Sequence, residues 1–258
     1  MASRLRHIER LDRRVLGAVR LIDAVTGRPI ARPLTVAADG SRFLRNREGL
    51  YVIREAPGLA AHLKEFDAPP AVPAPGEAPI ERLRIEDPLG QYLPRLARIR
   101  LPRAPVPSVG EPPLFEPEDV TMLVAPSASP RLDWSGWRAQ VRRSDDGSPV
   151  RGALVVLDWA NVGGTAFRAR GLSDERGEAL VPVAGLPVSR PGVEPGDGPV
   201  TDETPVTLSV FARADQPWPV DPDQLEASPA LTEIAVEPET ALQLRAGRLL
   251  AVVLRLTL

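Results

Sequence analysis

The chain has no cysteine among its 258 residues. That excludes a disulfide framework, thiolate metal ligands and a cysteine nucleophile. Histidine is nearly absent, with only His7 and His62. Both lie in charged or loop-like sequence and read as surface positions, not as metal ligands or acid/base groups. Lysine is reduced to Lys64, and every other basic residue is arginine. No stretch approaches the ~20 apolar residues of a membrane-spanning helix, so membrane insertion is not expected. The opening Met1–Arg10 carries charge but no apolar core, so no secretory signal is expected and the chain should stay in a cytoplasm-like compartment. A hydrolase elbow, Gly-x-Ser-x-Gly, and a phosphate loop ending in Gly-Lys are both missing. No enzyme activity and no cofactor are expected.

What is abundant is proline and glycine, 30 and 20 residues. They punctuate a chain that is 43% hydrophobic and 26% charged, which is apolar enough to fold. The formal net charge is −2, and the arginines are interleaved with Asp and Glu along the sequence, so nucleic acid is not an expected partner.

Period-2 alternation dominates. Leu83 and Ile85 alternate with Arg82, Arg84 and Glu86; Ala97, Ile99 and Leu101 alternate with Arg98 and Arg100. Trp137, Ala139 and Val141 alternate with Arg138, Gln140 and Arg142, which predicts a buried Trp137. Val206–Ala212 and Val252–Leu258 follow the same rule. Each run sends one set of side chains to a core and the other to water, as half-buried strands do. Shorter runs near 15–22, 33–38, 50–54, 119–124, 153–158 and 178–183 predict further strands. The one short helix signal is Asp221-Pro222-Asp223-Gln224-Leu225-Glu226, with Asp221 as N-cap and Pro222 at the first helical position.

The chain also repeats itself. Thr26-Gly27-Arg28-Pro29-Ile30 leads to Leu34-Thr35-Val36, and Asp146-Gly147-Ser148-Pro149-Val150 leads to Leu154-Val155-Val156, an offset of 120. Asn46-Arg47-Glu48-Gly49 matches Asp174-Glu175-Arg176-Gly177 at an offset of 128, with the loop around Asn161–Gly164 taking up the difference. The reading is an all-β chain of two similar antiparallel β-sandwich domains joined by a Pro-rich linker. Residues 1–14 form an N-terminal arm, 15–103 the first domain, 104–135 the linker with an edge strand near Val120–Val124, and 136–258 the second domain.

The run Asp146-Gly147-Ser148-Pro149-Val150-Arg151-Gly152-Ala153-Leu154-Val155, followed by Ser173-Asp174-Glu175-Arg176-Gly177-Glu178-Ala179, resembles carboxypeptidase regulatory-like, or transthyretin-like, modules. The likeness covers about half of 136–258 and is weaker over the first half. It implies an Ig-like sandwich and no particular activity. The run Ile85-Glu86-Asp87-Pro88-Leu89-Gly90-Gln91-Tyr92-Leu93-Pro94-Arg95 resembles small β-rich proteins encoded with contractile injection systems and other phage-tail-like particles. That likeness implies a structural or adaptor subunit whose partners are other subunits of the particle, with a homo-oligomer also allowed. The alternative is a carbohydrate- or surface-binding module.

The interface candidates are Trp134 and Trp218, set among Pro, Asp and Ser, and the outward arginines Arg82, Arg84, Arg98 and Arg100. Glu194, Asp197, Asp202 and Glu203 lie in a Gly/Pro-rich connection and read as solvated loop, not as a calcium site.

Overall fold

The computed structural model describes residues 15–59, 80–103, 113–161, 164–186, 203–215, 217–228, 233–238 and 242–258. The N-terminal arm, His7, His62, Glu194, Asp197 and Asp202 lie outside them. The chain is all-β. Its strands are β1 (Gly17–Asp23), β2 (Thr35–Ala37), β3 (Arg42–Arg45), β4 (Tyr51–Glu55), β5 (Ile80–Glu86), β6 (Arg95–Arg100), β7 (Glu118–Met122) and β8 (Trp134–Arg143). They continue with β9 (Leu154–Ala160), β10 (Ala166–Leu172), β11 (Glu178–Ala184), β12 (Glu203–Pro205), β13 (Thr207–Phe211), β14 (Ile234–Glu237), β15 (Gln243–Arg245) and β16 (Leu249–Leu256). Helix α1 (Pro222–Glu226) starts where the proline pattern placed it, and the Asp221 side chain accepts from the Asp223 and Gln224 amides.

The chain divides into two compact units built from alternating stretches. One comprises Met1–Arg20, Ala37–Arg82 and Arg98–Glu118; the other comprises Leu21–Val36, Leu83–Ala97 and Asp119–Leu258. In the first, β4 pairs antiparallel with both β3 and the start of β1, with Gly17 opposite Ile53 and Val19 opposite Tyr51. Ile53, Leu16 and Val19 are fully buried there.

The larger unit holds a β-sandwich. The sheet β11-β8-β16-β14 packs its inner face on the sheet β10-β9-β13. Trp137, Ala139 and Val141 of β8, Val155 and Leu157 of β9, Val181 of β11 and Leu254 of β16 meet in one core. Trp137 is fully buried, and its indole N–H donates to the Gln243 carbonyl, as a buried tryptophan requires. β9 is covered on its other face too. Leu154, Val156 and Leu172 pack under Leu93, Leu123, Val220 and Leu225, so α1 and its approach form a second layer. That is why Leu154–Leu157 is an unbroken apolar run and not an alternating one.

The repeated turns carry the same hydrogen bonds. Asp23 N–H donates to Arg28 O, Gly27 to Asp23 O, and Ile30 to Leu21 O; at an offset of 120, Arg143 donates to Ser148 O, Gly147 to Arg143 O, and Val150 to Val141 O. Gly27 and Gly147 sit at φ 65° and 71°, a region glycine enters without a Cβ clash. Asn46 and Asp174 each accept, through the side chain, from the amide four residues on. Strand pairing obeys both offsets at once: Val19 faces Tyr51 as Ala139 faces Ala179.

Candidate interaction surfaces

The most heavily braced turn among the described residues follows β5. Asp87 directly follows the strand, and its side chain is wholly shielded from solvent. One carboxylate oxygen accepts from the Leu89 amide at 2.9 Å, the other from Gln91 at 2.7 Å and Tyr92 at 3.0 Å. The Arg32 guanidinium closes the arrangement with a two-pronged bond to both oxygens. Burial alone would raise this carboxyl, but the bonds from Arg32, Leu89 and Tyr92 outweigh it and hold it at about 2. Arg32 also lies over the Tyr92 ring at 5.4 Å. The Tyr92 hydroxyl donates to Asp23 at 2.6 Å, and Asp23 in turn accepts from the Val25 and Thr26 amides. Burial and then the Asp23 bond push the Tyr92 phenol well above its ordinary value.

The stretch 23–32 and the turn 87–92 are therefore fastened to each other by an ion pair and a phenol–carboxylate bond. At the tip stands Leu89, 74% exposed, on a backbone fixed by three amide bonds. Phe115 and Leu132 are exposed as well. Leu89 differs in the frame beneath it. Single exposed apolar side chains are ordinary; a rigidly presented one costs little further entropy to dock.

A second arrangement holds α1 and its N-cap in place. Arg95 is 1% exposed although it sits on a strand. It donates to the Leu96 and Thr121 carbonyls and to Asp223 at 2.6 Å, with Asp221 at 3.5 Å. Arg170 bonds Asp223 and Glu226, and Arg168 bonds Glu226 and its cross-strand neighbour Asp158. Burial opposes ionisation of Asp223, but Arg95 and Arg170 outweigh it and its carboxyl is lowered. At Asp221 burial wins over Arg95 and the carboxyl is raised. In the first unit, Arg103 is buried likewise, bonded to the Glu116 carbonyl and the Glu118 side chain.

The sequence candidates fall in three places. Trp134 is not a solvent-facing anchor: it is 8% exposed, packed with Val124 and Leu180 at the start of β8, because the chain from Val124 to Ala128 folds over it. Trp218 is half-buried against the layer containing Val220 and Leu225, with the Arg151 guanidinium 5.5 Å from its ring centre. Half-buried Trp159 and exposed Phe167 are paired in register across β9 and β10 and stacked at 5.7 Å. Arg82, Arg84, Arg98 and Arg100 all stand on the outward side of β5 and β6. Arg84 bonds Glu86 at 2.6 Å.

Among the described residues no three metal-ligating side chains come together, and no helix is long and apolar enough to cross a membrane. No protein family, curated protein or solved structure matches the chain.

The Asp87 turn was not legible as a site, although its residues were. The signal was Asp-Pro-x-Gly after an alternating strand, which is turn chemistry, but the second half of the frame comes from Arg32 and Asp23, more than fifty residues away. Arg95 had a clearer signal. It lies in phase with Ala97, Ile99 and Leu101, on the inward side of the alternation.

Proposed function

We propose that this chain is a non-catalytic structural or adaptor subunit of a phage-tail-like or contractile injection particle, made in the cytoplasm and working by docking onto neighbouring subunits. The observation that carries this reading is the Asp87 turn, which uses a buried carboxylate, a half-buried ion pair and three amide bonds to hold one exposed leucine still. Local frames of that kind serve recognition, because they remove the ordering cost before the partner arrives. The likeness of Ile85–Arg95 to proteins of such particles points the same way. We read the two turn–hairpin copies as marks of two similar Ig-like sandwich modules of the carboxypeptidase regulatory-like kind, joined by the Pro-rich stretch.

The test is native fractionation of cells that contain intact particles, followed by cross-linking mass spectrometry. The wild-type chain is expected in a large assembly, cross-linked near Leu89. A Leu89→Asp variant is expected to keep the thermal midpoint of the free chain and to leave the assembly. Recovery of the wild type only as a free monomer sinks the reading.

A further inference from the structure

The sheet β11-β8-β16-β14 has two faces, and the sandwich core uses one of them. Residues alternate between faces along a strand, so Trp134, Arg138 and Gln140 of β8 stand on the other. Part of this second face is covered. Val25, Tyr92, Val124 and Ala128 pack with Trp134, Leu180 and Leu249. The cover ends at Arg138, whose guanidinium donates to the Pro126 carbonyl at 3.0 Å. Beyond it the row Glu178–Gln140–Val253–Glu237 crosses all four strands in register. A groove of about 580 Å³ lies there, with exposed Ala251 and half-buried Val253 between longer neighbours and Pro238 at one side.

The carboxylates beside the groove are already answered from within the chain. Arg176 bonds Glu178 at 3.0 Å, and Arg255 bonds Glu237 at 2.9 Å. The Gln140 amide donates to the Arg176 carbonyl. A charged partner segment would bury its charge here without an answering group, so a neutral apolar side chain is the better fit. The chain carries one. Leu89 is 74% exposed on its braced turn, and Arg32 neutralises the Asp87 carboxylate beneath it. Tyr92 of the same turn belongs to the layer that covers this sheet face. The leucine turn and the groove therefore lie on one side of one sheet, within one compact unit.

A projection and its complement on one side of a molecule suit a two-fold axis, because each copy then gives its own and receives the other's. We propose that the groove receives Leu89 of a second copy of this chain. The inference rests on the docking reading and names the partner that Leu89 meets. One leucine-tipped turn in each direction covers on the order of a few hundred Å², against the ~1,200–2,000 Å² of a stable interface. The contact is thus weak in dilute solution and gains strength where other contacts already hold two copies side by side.

The absence of native cysteine makes the test direct. Full-length L89C and A251C chains are mixed and oxidised. The mixed disulfide is expected well ahead of either homodimer, since one native contact still holds the pair while the two thiols meet in the other. L132C, fully exposed elsewhere, is expected to give only background with A251C. Sedimentation velocity up to about 1 mM supplies a second readout. The wild type is expected to self-associate reversibly and with little dependence on salt. L89K and A251E are each expected to weaken this about tenfold or more with unchanged thermal midpoints. Their mixture is expected to associate again, because it keeps one native contact and brings opposite charges together in the other. Should A251E fail to fold, the cysteine pair decides alone. No disulfide above the L132C background overturns the inference, and so does a wild type that stays monomeric throughout or an association that neither charged variant alters. A chain that fails these tests yet enters particles through Leu89 overturns the second-copy contact alone. A chain that passes them, but is only ever free of the particles in cells, overturns the particle reading alone.

Discussion

Arg95 and Arg98 stand three residues apart on one strand and have opposite fates. Arg98 is on the outward phase of the alternation and is exposed; Arg95 shares the inward phase with Ala97 and Ile99 and is buried. An inward arginine survives only if its donors are met, and Arg95 meets two carbonyls and the Asp223 carboxylate. Removing it leaves the Leu96 and Thr121 carbonyls without their donor, while the Asp223 carboxylate, 53% exposed and still bonded to Arg170, stays partly answered by water. Arg95→Met is therefore expected to lower the chemical-denaturation midpoint by an amount equivalent to about 2 kcal/mol, below the ~3–5 kcal/mol of a fully buried pair. Arg98→Met, on the same strand but facing out, is expected to stay within about 0.5 kcal/mol of the wild type. Equal effects at both positions would show that Arg95 contributes only its apolar stem.

The repeated turns show how far an element is written in its own residues. Gly-x-Pro and Asn/Asp-x-x-Gly stand at fixed offsets, and the backbone bonds, the positive φ values and the strand pairings follow those offsets. The long alternating runs were equally legible, because a period of two over six residues has one buried solution. β3, β12, β14 and β15 were not, being three or four residues long and defined by the strand they pair with. β10 was missed for a related reason: its first three residues, Ala166–Arg168, are exposed, so the inward positions do not announce themselves. The site frames are long-range for the same cause, since Asp87 meets Arg32 and Arg95 meets Asp223 only after folding. Within the second turn copy the two glycines differ in their surroundings. A Cβ at Gly147 would meet nothing within 4 Å, while at Gly177 it would lie 2.5 Å from the Val141 carbonyl oxygen and 3.0 Å from Pro149. Gly147→Ala is expected to lose only the backbone preference, about 1–2 kcal/mol. Gly177→Ala adds a backbone clash beside the bond that the Val141 amide donates to Gly177, and is expected to cost at least about 2 kcal/mol more by urea unfolding. If the two variants unfold at the same urea concentration, the close approach at Gly177 is not rigid.

For the molecule as a whole, the carboxylates decide what acid does. Asp87 is held at about 2, against an ordinary value of 3.8, and Asp223 is lowered too. A carboxyl with a lowered folded value adds stability that is complete above its unfolded value and is lost as pH falls through the folded one. The window for Asp87 therefore runs from about pH 4 down to about pH 2. Asp221, raised by burial, works in the opposite sense and offsets part of the loss, because protonating it relieves a desolvated charge. With no histidine among the described residues, nothing of that type adds a transition near neutrality. Thermal midpoints are thus expected to be flat from pH 7 to about pH 4.5 and to fall steeply below, as the Arg32–Asp87 and Arg95–Asp223 pairs lose their charge. Asp87→Asn should be less stable than the wild type at pH 7 by about 1–2 kcal/mol, a figure reduced from the full linkage value because Arg32 is partly exposed. That gap is expected to close as the pH approaches 2, where the wild-type carboxyl is itself protonated. A gap that stays constant across the whole range would mean that Asp87 acts through shape and hydrogen bonding alone, and that its charge, with the Arg32 pair, adds nothing to the frame that presents Leu89.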